Sequence, residues 1–184
     1  CHTRWAGGGG GIGRTRGGGA VGGSFVYLTD SVIRDSSITA IDRNVAAGGG
    51  IGAYQATLIR SKISGNSVSA PMTFAYQGYQ TAGGGVYAVR ATLIDSTISG
   101  NSVEATEDGQ NTNGGGVFAH FGYQVTGTTF AGNTADGAGG GLFFGSSRTA
   151  YRTRTPSTPY GARISNSTFT GNHAYAGGAI ATQS

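Results

Sequence analysis

The sequence predicts an all-β fold, a right-handed parallel β-helix (solenoid) of about five to six coils. Glycine clusters recur along the 184-residue chain, and short runs that alternate apolar with small polar residues follow each cluster. Most copies then close on Gly-Asn. Such short strands cannot bury their apolar side alone, whereas stacked copies bury it continuously. The right-handed sense is expected because parallel crossover connections favour it.

The composition is consistent with a repeat architecture and excludes several classes of protein. Glycine contributes 37 residues and proline 3, yet hydrophobic residues still make up 37% of the chain. Charged residues are scarce at 11%, and the net charge of +4 is scattered along the chain. Binding of nucleic acid would require a basic stripe on the surface, so we expect no nucleic-acid partner. No apolar run reaches the roughly 18 residues of a membrane span, which predicts no transmembrane segment.

The glycine clusters set the register of the repeat. Coils are predicted to start near residues 48, 83, 114, 139 and 177. Between its glycines and its Gly-Asn, the copy near 114 is one residue longer than the two before it. Counting the same spacing back from Ile38 places an earlier coil near residue 22. We therefore expect coils over 22–184, preceded by a glycine-rich degenerate or capping coil over 1–21.

In this register the copies form columns of like residues, as strands with one buried face do. The first apolar column is Phe25, Ile51, Val86, Val117, Leu142 and Ile180. The second is Ile33, Leu58, Leu93, Val125 and Ile164. The third is Ile38, Ile63, Ile98, Phe130 and Phe169. A Ser/Thr column between the last two consists of Ser36, Ser61, Ser96, Thr128 and Ser167.

A polar corner follows the third column. It is predicted to consist of Asn66, Asn101, Asn133 and Asn172. Stacked amides hydrogen-bond along the axis of such an assembly, and asparagine tolerates the left-handed backbone of a tight corner. These residues therefore predict a structural Asn corner.

Two motifs resemble a known group of proteins. Gly177-Gly178-Ala179-Ile180, together with Phe-x-x-Asn at 130–133 and 169–172, resembles the repeat of chlamydial polymorphic outer membrane proteins. The phrase Asp-Ser-Thr-Ile-Ser-Gly-Asn at 95–101 is similar to bacterial right-handed parallel β-helix repeat proteins of the secreted, cell-surface type. The resemblance implies an extracellular or cell-surface protein, a class that includes adhesins and autotransporter passengers. The chain departs from the motif by using Ile before the Asn in two coils.

No constellation in the sequence indicates catalysis. Polysaccharide lyases and hydrolases share this fold and need clustered carboxylates beside a basic residue. In the predicted register Asp35, Arg60 and Asp95 lie one above another, which indicates a surface salt-bridge stack. The three histidines share no column, and Cys1 is the only cysteine, so neither a metal site nor a catalytic triad is indicated. We expect no enzyme activity, no metal and no cofactor.

Two surfaces are candidates for binding a partner. Tyr87, Phe118 and Phe143 follow the first apolar column and by alternation point outward, where an aromatic stripe binds sugars or another protein. The alternative is that corner insertions cover them. The second candidate is a partner-contact loop for an acidic or glycan ligand, with an ordinary solvated loop as its alternative. Its residues are Arg148, Tyr151, Arg152, Arg154 and Tyr160.

These features predict an extracellular structural or adhesive β-helix protein. The chain stops inside a repeat, and an uncapped solenoid exposes a strand edge. We therefore expect either self-association by coil-on-coil stacking into a fibre, or continuation as the stalk or passenger of a larger surface protein. A glycan or a host surface is the expected outside partner. The alternative function is a carbohydrate-binding or polysaccharide-degrading module on the same scaffold.

Overall fold

The computed structural model describes residues 2–4, 15–17, 19–39, 45–70, 81–105, 112–145 and 161–183. Within these ranges every regular element is a β-strand, and the strands form three sheets. Sheet I contains β1 (His2–Arg4), β2 (Thr15–Gly17), β5 (Ser37–Thr39), β6 (Val45–Ala47), β9 (Ser67–Ala70), β10 (Thr81–Ala82), β13 (Ser102–Ala105), β14 (Thr112–Asn113), β17 (Thr134–Ala138) and β21 (His173–Ala176). Sheet II contains β3 (Val21–Thr29), β7 (Ile51–Ile59), β11 (Val86–Ile94), β15 (Val117–Thr126), β18 (Leu142–Gly145), β19 (Arg163–Ser165) and β22 (Ile180–Gln183). Sheet III contains β4 (Val32–Arg34), β8 (Lys62–Ser64), β12 (Thr97–Ser99), β16 (Thr129–Ala131) and β20 (Thr168–Thr170).

The pairings between the described strands of all three sheets are parallel, and each joins neighbouring repeats. Sheet III shows the rule in its simplest form, with the strand order β20-β16-β12-β8-β4. From β11 the chain passes to β12 and then to β13, and one repeat later it passes from β15 to β16 and β17. Each of these repeats therefore places a strand on sheets II, III and I in turn, beside the strand of the repeat before it.

The main core lies between sheets II and III. Leu58 and Leu93 of sheet II and Ile63 and Ile98 of sheet III are fully buried, at 0% exposure, and belong to one apolar cluster. Their strands follow the period of two, in which alternate side chains face the core. Burying each such side chain stabilises the fold by about 1.5–3 kcal/mol before the entropy of ordering is subtracted. The predicted apolar columns are therefore the core in the repeats from Ile51 to Leu142, whereas in the last described repeat Ile164 and Phe169 are only partly buried and Ile180 is 37% exposed.

The first repeat departs from the predicted register. Val21, and not Phe25, pairs with Ile51. Phe25 pairs with Gln55 instead and is 76% exposed. The prediction of Phe25 as a core residue, in a coil that starts near residue 22, is therefore wrong. Most of residues 1–18 lie outside the described residues, so a capping coil there stays a prediction.

The same shift moves the other members of this repeat. Ile33 and Ile38 each lie one column further along than predicted, and Leu28 begins the second apolar column. The corner residue explains the error. Ser36, predicted for the Ser/Thr column, takes the place of an Asn: its N–H donates to Asn66 Oδ1 at 3.1 Å, as the N–H groups of the Asn residues do further along. A repeat without Gly-Asn was therefore aligned one strand out of register.

The side-chain amides of the Asn corner form a ladder from repeat to repeat. Asn101 donates from its backbone N–H to Asn133 Oδ1 at 3.1 Å and from Nδ2 to the same oxygen at 2.9 Å. Its Nδ2 also donates backwards, to the carbonyl oxygen of Ile63, at 3.0 Å. Asn66 donates to Asn101 Oδ1 in the same way, at 3.0 and 2.9 Å. Since Asn66 and Asn101 are both 0% exposed, each amide satisfies backbone groups that water cannot reach.

Hydroxyl groups form a second ladder at the corner between sheets II and III. The backbone N–H of Ser61 donates to Ser96 Oγ at 3.1 Å, and the N–H of Ser31 donates to Ser61 Oγ at 3.2 Å. Ser31 therefore takes the place in this column that was predicted for Ser36. At this corner side chains from the neighbouring repeat therefore add to backbone bonds between repeats, such as the one from the N–H of Lys62 to the carbonyl oxygen of Ser31 at 2.8 Å.

A column of glycines passes directly beside the Asn ladder. A Cβ atom added at Gly85 would lie 2.7 Å from the carbonyl oxygen of Gly116 and 3.0 Å from Cγ of Asn101. The N–H of Gly85 donates to that same Gly116 oxygen at 3.1 Å. Only a residue without a side chain allows the two backbones to approach this closely.

The Asn ladder predicts a large effect for Asn101→Ala. The change removes two donated and two accepted bonds in a buried site and leaves the carbonyl of Ile63 and the amide of Asn66 without those partners. We expect unfolding by urea to show a loss of about 3 kcal/mol. The control is Ser99→Ala, a half-buried position on the same coil, which is expected to change stability by less than about 0.5 kcal/mol. Equal effects would contradict the structural role of the amide.

The glycine column predicts that Gly85→Ala costs about 3 kcal/mol, because the backbone of the next repeat must move away. Gly132→Ala is the matched control: no atom lies within 4 Å of its added Cβ, but its φ is +61°. It should therefore show only the cost of a left-handed alanine, about 1 kcal/mol. Denaturant unfolding of both variants separates the two effects, and a larger loss at Gly132 would refute the steric explanation.

Candidate functional site

The outer surface of sheet II carries two rows of side chains that run across the strands. The first row contains Phe25, Gln55, Arg90 and Gly122, which are register partners. The second row contains Tyr27, Thr57, Thr92, Gln124 and Arg163. Phe25 and Tyr27 are 76% and 66% exposed. The rows therefore begin with exposed aromatic rings and continue into polar and basic side chains.

A pocket opens between these rows. Its volume is about 350 Å³, and its lining includes Gln55, Arg90, Thr92, Tyr123, Gln124 and Gly161. That volume lies at the lower end of the range typical of small-ligand sites. Burial raises the pKa of Tyr123, which keeps its hydroxyl protonated at neutral pH. Among the lining residues that the structure describes, only Arg90 carries a charge.

The shape of the pocket depends on a β-bulge in β15. Ala88 pairs with Ala119 and Arg90 pairs with Gly122, so β15 holds one residue more than β11 between these pairs. This is the extra residue that lengthens the copy near 114 in the sequence. Bulges bend a strand locally and change the direction of the side chains that follow. Gly122, which has no side chain, comes next and interrupts the first row beside Arg90.

Arg90 lies over an aromatic ring at one side of the pocket. Its guanidinium carbon is 5.9 Å from the ring centroid of Tyr54, at the outer limit of a cation–π contact. Tyr54 remains 42% exposed. A partly buried guanidinium beside an accessible aromatic face offers a ligand both a fixed positive charge and an apolar surface.

The predicted aromatic stripe exists as a stack but not as an exposed surface. Tyr87 stacks on Phe118 with ring centroids 5.4 Å apart, and Phe118 stacks on Phe143 at 5.1 Å. Phe118 is 0% exposed and Phe143 is 4% exposed. They form an apolar cluster separate from the main core, with Ala82 as its third buried member. The prediction of an accessible stripe is therefore wrong for Phe118 and Phe143, while Tyr87 is half-buried.

His120 packs against this stack inside the bulge. Its ring contacts Phe118 edge-on at 4.7 Å, and its Nε2 hydrogen-bonds the hydroxyl of Tyr87. Burial lowers the pKa of His120 from 6.5 to about 4, and a hydrogen bond to the backbone of Gly145 opposes that shift. The imidazole is therefore neutral at physiological pH. This role could not be predicted from the sequence, because His120 shares no column with another titratable residue.

The surface salt-bridge stack predicted from Asp35, Arg60 and Asp95 begins with a different residue in the structure. Arg60 binds Asp30 through two hydrogen bonds of 2.7 Å each, whereas Asp35 lies beside Gly65. The Arg60 hydrogen bond lowers the pKa of Asp30. The order is therefore Asp30, Arg60, Asp95, and the prediction of Asp35 is wrong for the same reason as the other errors in the first repeat. The pair is exposed on both sides, which makes it a minor contributor to stability.

Several predicted features lie elsewhere or outside the described residues. The partner-contact loop with Arg148, Tyr151, Arg152, Arg154 and Tyr160 falls entirely outside them, as does Cys1. Within the described ranges, no group of three or more His, Cys, Asp or Glu side chains is placed to hold a metal ion. The described part of the chain also contains no helix of the length and apolarity that a membrane crossing needs.

Comparisons with known proteins find no relative: no protein-family model, no curated protein and no solved structure matches the chain. The resemblance to the polymorphic outer membrane protein repeat therefore stays a prediction. The pocket is not among the sites predicted from the sequence. The signals for it were the outward positions of Gln55, Arg90 and Gln124 and the extra residue in the copy near 114.

The environment of His120 predicts a pH dependence of stability. Its pKa is about 4 in the folded protein against an ordinary 6.5, so the unfolded chain binds the additional proton between these values. Stability is therefore full above pH 6.5, falls as the pH is lowered to 4, and loses about 3 kcal/mol from this group. Urea unfolding across this range should show that the free energy of unfolding of His120→Gln falls less steeply with decreasing pH than that of the unaltered protein. His173→Gln, at an exposed position, should keep the slope of the unaltered protein, and a slope unchanged in both variants would contradict the assignment.

Proposed function

We propose that the chain is a right-handed parallel β-helix that serves as a structural or adhesive rod, outside the cell or on its surface. Two features support the proposal. The described strands pair in parallel with the neighbouring repeat, and equivalent residues occupy equivalent positions along the stack. The motifs at 130–133, 169–172 and 177–180 resemble a repeat of secreted surface proteins. Right-handedness rests on the general preference of parallel crossover connections.

The observation that carries the proposal is that core side chains are more exposed in the last described repeat than in the repeat before it. Leu142 is 0% exposed, whereas Ile180, its partner in register, is 37% exposed. Phe130 is 0% exposed, whereas Phe169, which stacks on it at a centroid distance of 4.5 Å, is only partly buried. The stack therefore presents apolar core residues along its edge.

A second copy of the chain, stacked head to tail, is the occupant that we propose for this edge. Each repeat already serves as a template for the next, through parallel strands and side-chain ladders. At the opposite end of sheet II the edge strand is β3, whose Val21 and Leu28 are likewise only partly buried against the core. Exposed strand edges bind further strands readily, so coil-on-coil association would extend both the sheets and the core.

Association through this edge is tested by electron microscopy and sedimentation of the purified chain over a range of concentrations. We expect rods or concentration-dependent oligomers. Ile180→Lys places a charge at the stacking surface and should give monomers. Tyr175→Lys is the matched control, because it adds the same charge at a side chain in the same region that is 88% exposed, and it should associate like the unaltered protein.

Two results would contradict the proposal. One is a monodisperse monomer of the unaltered chain at every concentration, which would favour the rest of a longer chain as the occupant of the edge. The other is association of Ile180→Lys at the level of Tyr175→Lys, which would show that the contact lies elsewhere.

The alternative function is a carbohydrate-binding or polysaccharide-degrading module. One observation favours binding: the pocket and the rows of aromatic and polar side chains on the outside of sheet II. An adhesive rod needs a contact surface of this kind, so the two functions are compatible on one scaffold.

A further inference from the structure

We propose that the pocket at Arg90 binds an acidic polysaccharide, with a uronate carboxylate on the guanidinium and neighbouring sugar rings along the rows of sheet II. This deepens the carbohydrate-binding alternative and does not depend on head-to-tail association. The proposal rests on the charge of the pocket, the chemistry of its lining and the direction of the rows.

The charge of the pocket favours an anion. Arg90 is the charged residue among its described lining, and no carboxylate belongs to that lining. Arg163 adds a second basic residue to the adjoining row, as the register partner of Gln124. A guanidinium binds carboxylates with charge-assisted hydrogen bonds, which are roughly twice as strong as neutral ones.

The remaining lining suits sugar hydroxyls. Gln55 and Gln124 each supply an amide donor and an amide acceptor, and Thr92 supplies a hydroxyl. Tyr54, beneath the guanidinium of Arg90, presents a ring that is 42% exposed. Aromatic rings of this kind provide the flat apolar surface on which the C–H face of a pyranose packs, while the polar groups bind its edge.

The direction of the rows favours a polymer over a single sugar. The rows cross successive strands, which lie about 4.8 Å apart. Phe25 and Arg90 flank Gln55 in the first row and are therefore about 10 Å apart along the stack. The exposed rings of Phe25 and Tyr27 extend the surface beyond the pocket. A linear chain that runs along the stack would contact the aromatic end and the basic end at once.

The test is calorimetric titration of the purified chain with oligogalacturonates of increasing length, and with the same oligomers after reduction of their carboxyl groups. We expect affinity to rise with length over the first few sugars and the reduced oligomers to bind at least about 10-fold more weakly. Absence of binding at millimolar oligogalacturonate would overturn the proposal. Equal binding of the reduced oligomers would overturn the assignment of an acidic ligand.

Two variants locate the site. Arg90→Gln should weaken binding at least about 10-fold. Its matched control, Arg34→Gln, makes the same change of charge at an exposed side chain of β4 and should bind like the unaltered protein. Equal weakening by both would indicate general attraction of an anion to a basic protein and would refute the site.

A third variant keeps the test decisive if Arg90→Gln does not fold. Gln124→Glu changes an exposed side chain of the lining and places a negative charge beside the bound carboxylate. It should fold normally and bind oligogalacturonate several-fold more weakly, while leaving the affinity for the reduced oligomers unchanged. Undiminished binding of the acidic oligomers by this variant would place them elsewhere on the protein. Calorimetric titration of the ligand does not require head-to-tail association. A failure of ligand binding and a failure of association are therefore distinguishable.

Discussion

The structure depends on how closely neighbouring repeats approach each other at the Asn corner. There the backbone of one repeat passes so near the next that a Cβ at Gly85 would lie 2.7 Å from a carbonyl oxygen. This close approach buries turn amides and carbonyls that strand pairing does not reach. The amide of Asn101 satisfies them in both directions, towards Asn133 and back to Ile63. Glycine provides the space and asparagine provides the partners, and neither is useful without the other, since a buried unpaired polar group costs about 1–3 kcal/mol.

This constraint leaves the outer surface free to vary. Inward positions of the repeats are confined to residues that match the repeat above and below, as Leu58 and Leu93 do in the core. Outward positions have no such requirement, and there the chain places Arg90 and Gln124 beside a bulge. The bulge also brings His120 against Tyr87 and Phe118. The proposed rod therefore depends on the inward positions, and the proposed binding site depends on a local irregularity of the outer face.

Most of the register could be predicted from the sequence, because Gly-Asn marks the same corner in each of the later repeats. The first repeat could not, since Ser36 replaces the Asn there and hydrogen-bonds in its place through the backbone N–H. The alternation of inward and outward positions also predicted, wrongly, that the side chain of Phe118 is exposed. Its side chain belongs to an apolar cluster distinct from the main core, and its burial in that cluster depends on contacts between segments far apart in sequence. The pocket was missed because its groups come from separate repeats, and only the pairing of strands shows that they are neighbours.

The central claim, that side-chain amides join successive repeats, is tested most directly by scalar couplings across hydrogen bonds in a deuterated, ¹⁵N,¹³C-labelled sample. The structure predicts a coupling between the backbone nitrogen of Asn101 and the side-chain carbonyl carbon of Asn133, whose oxygen lies 3.1 Å from that nitrogen. It predicts the equivalent coupling from Ser36 to Asn66 in the first repeat. Absence of both, in a sample where backbone couplings such as Thr97 to Ser61 are seen, would contradict the ladder.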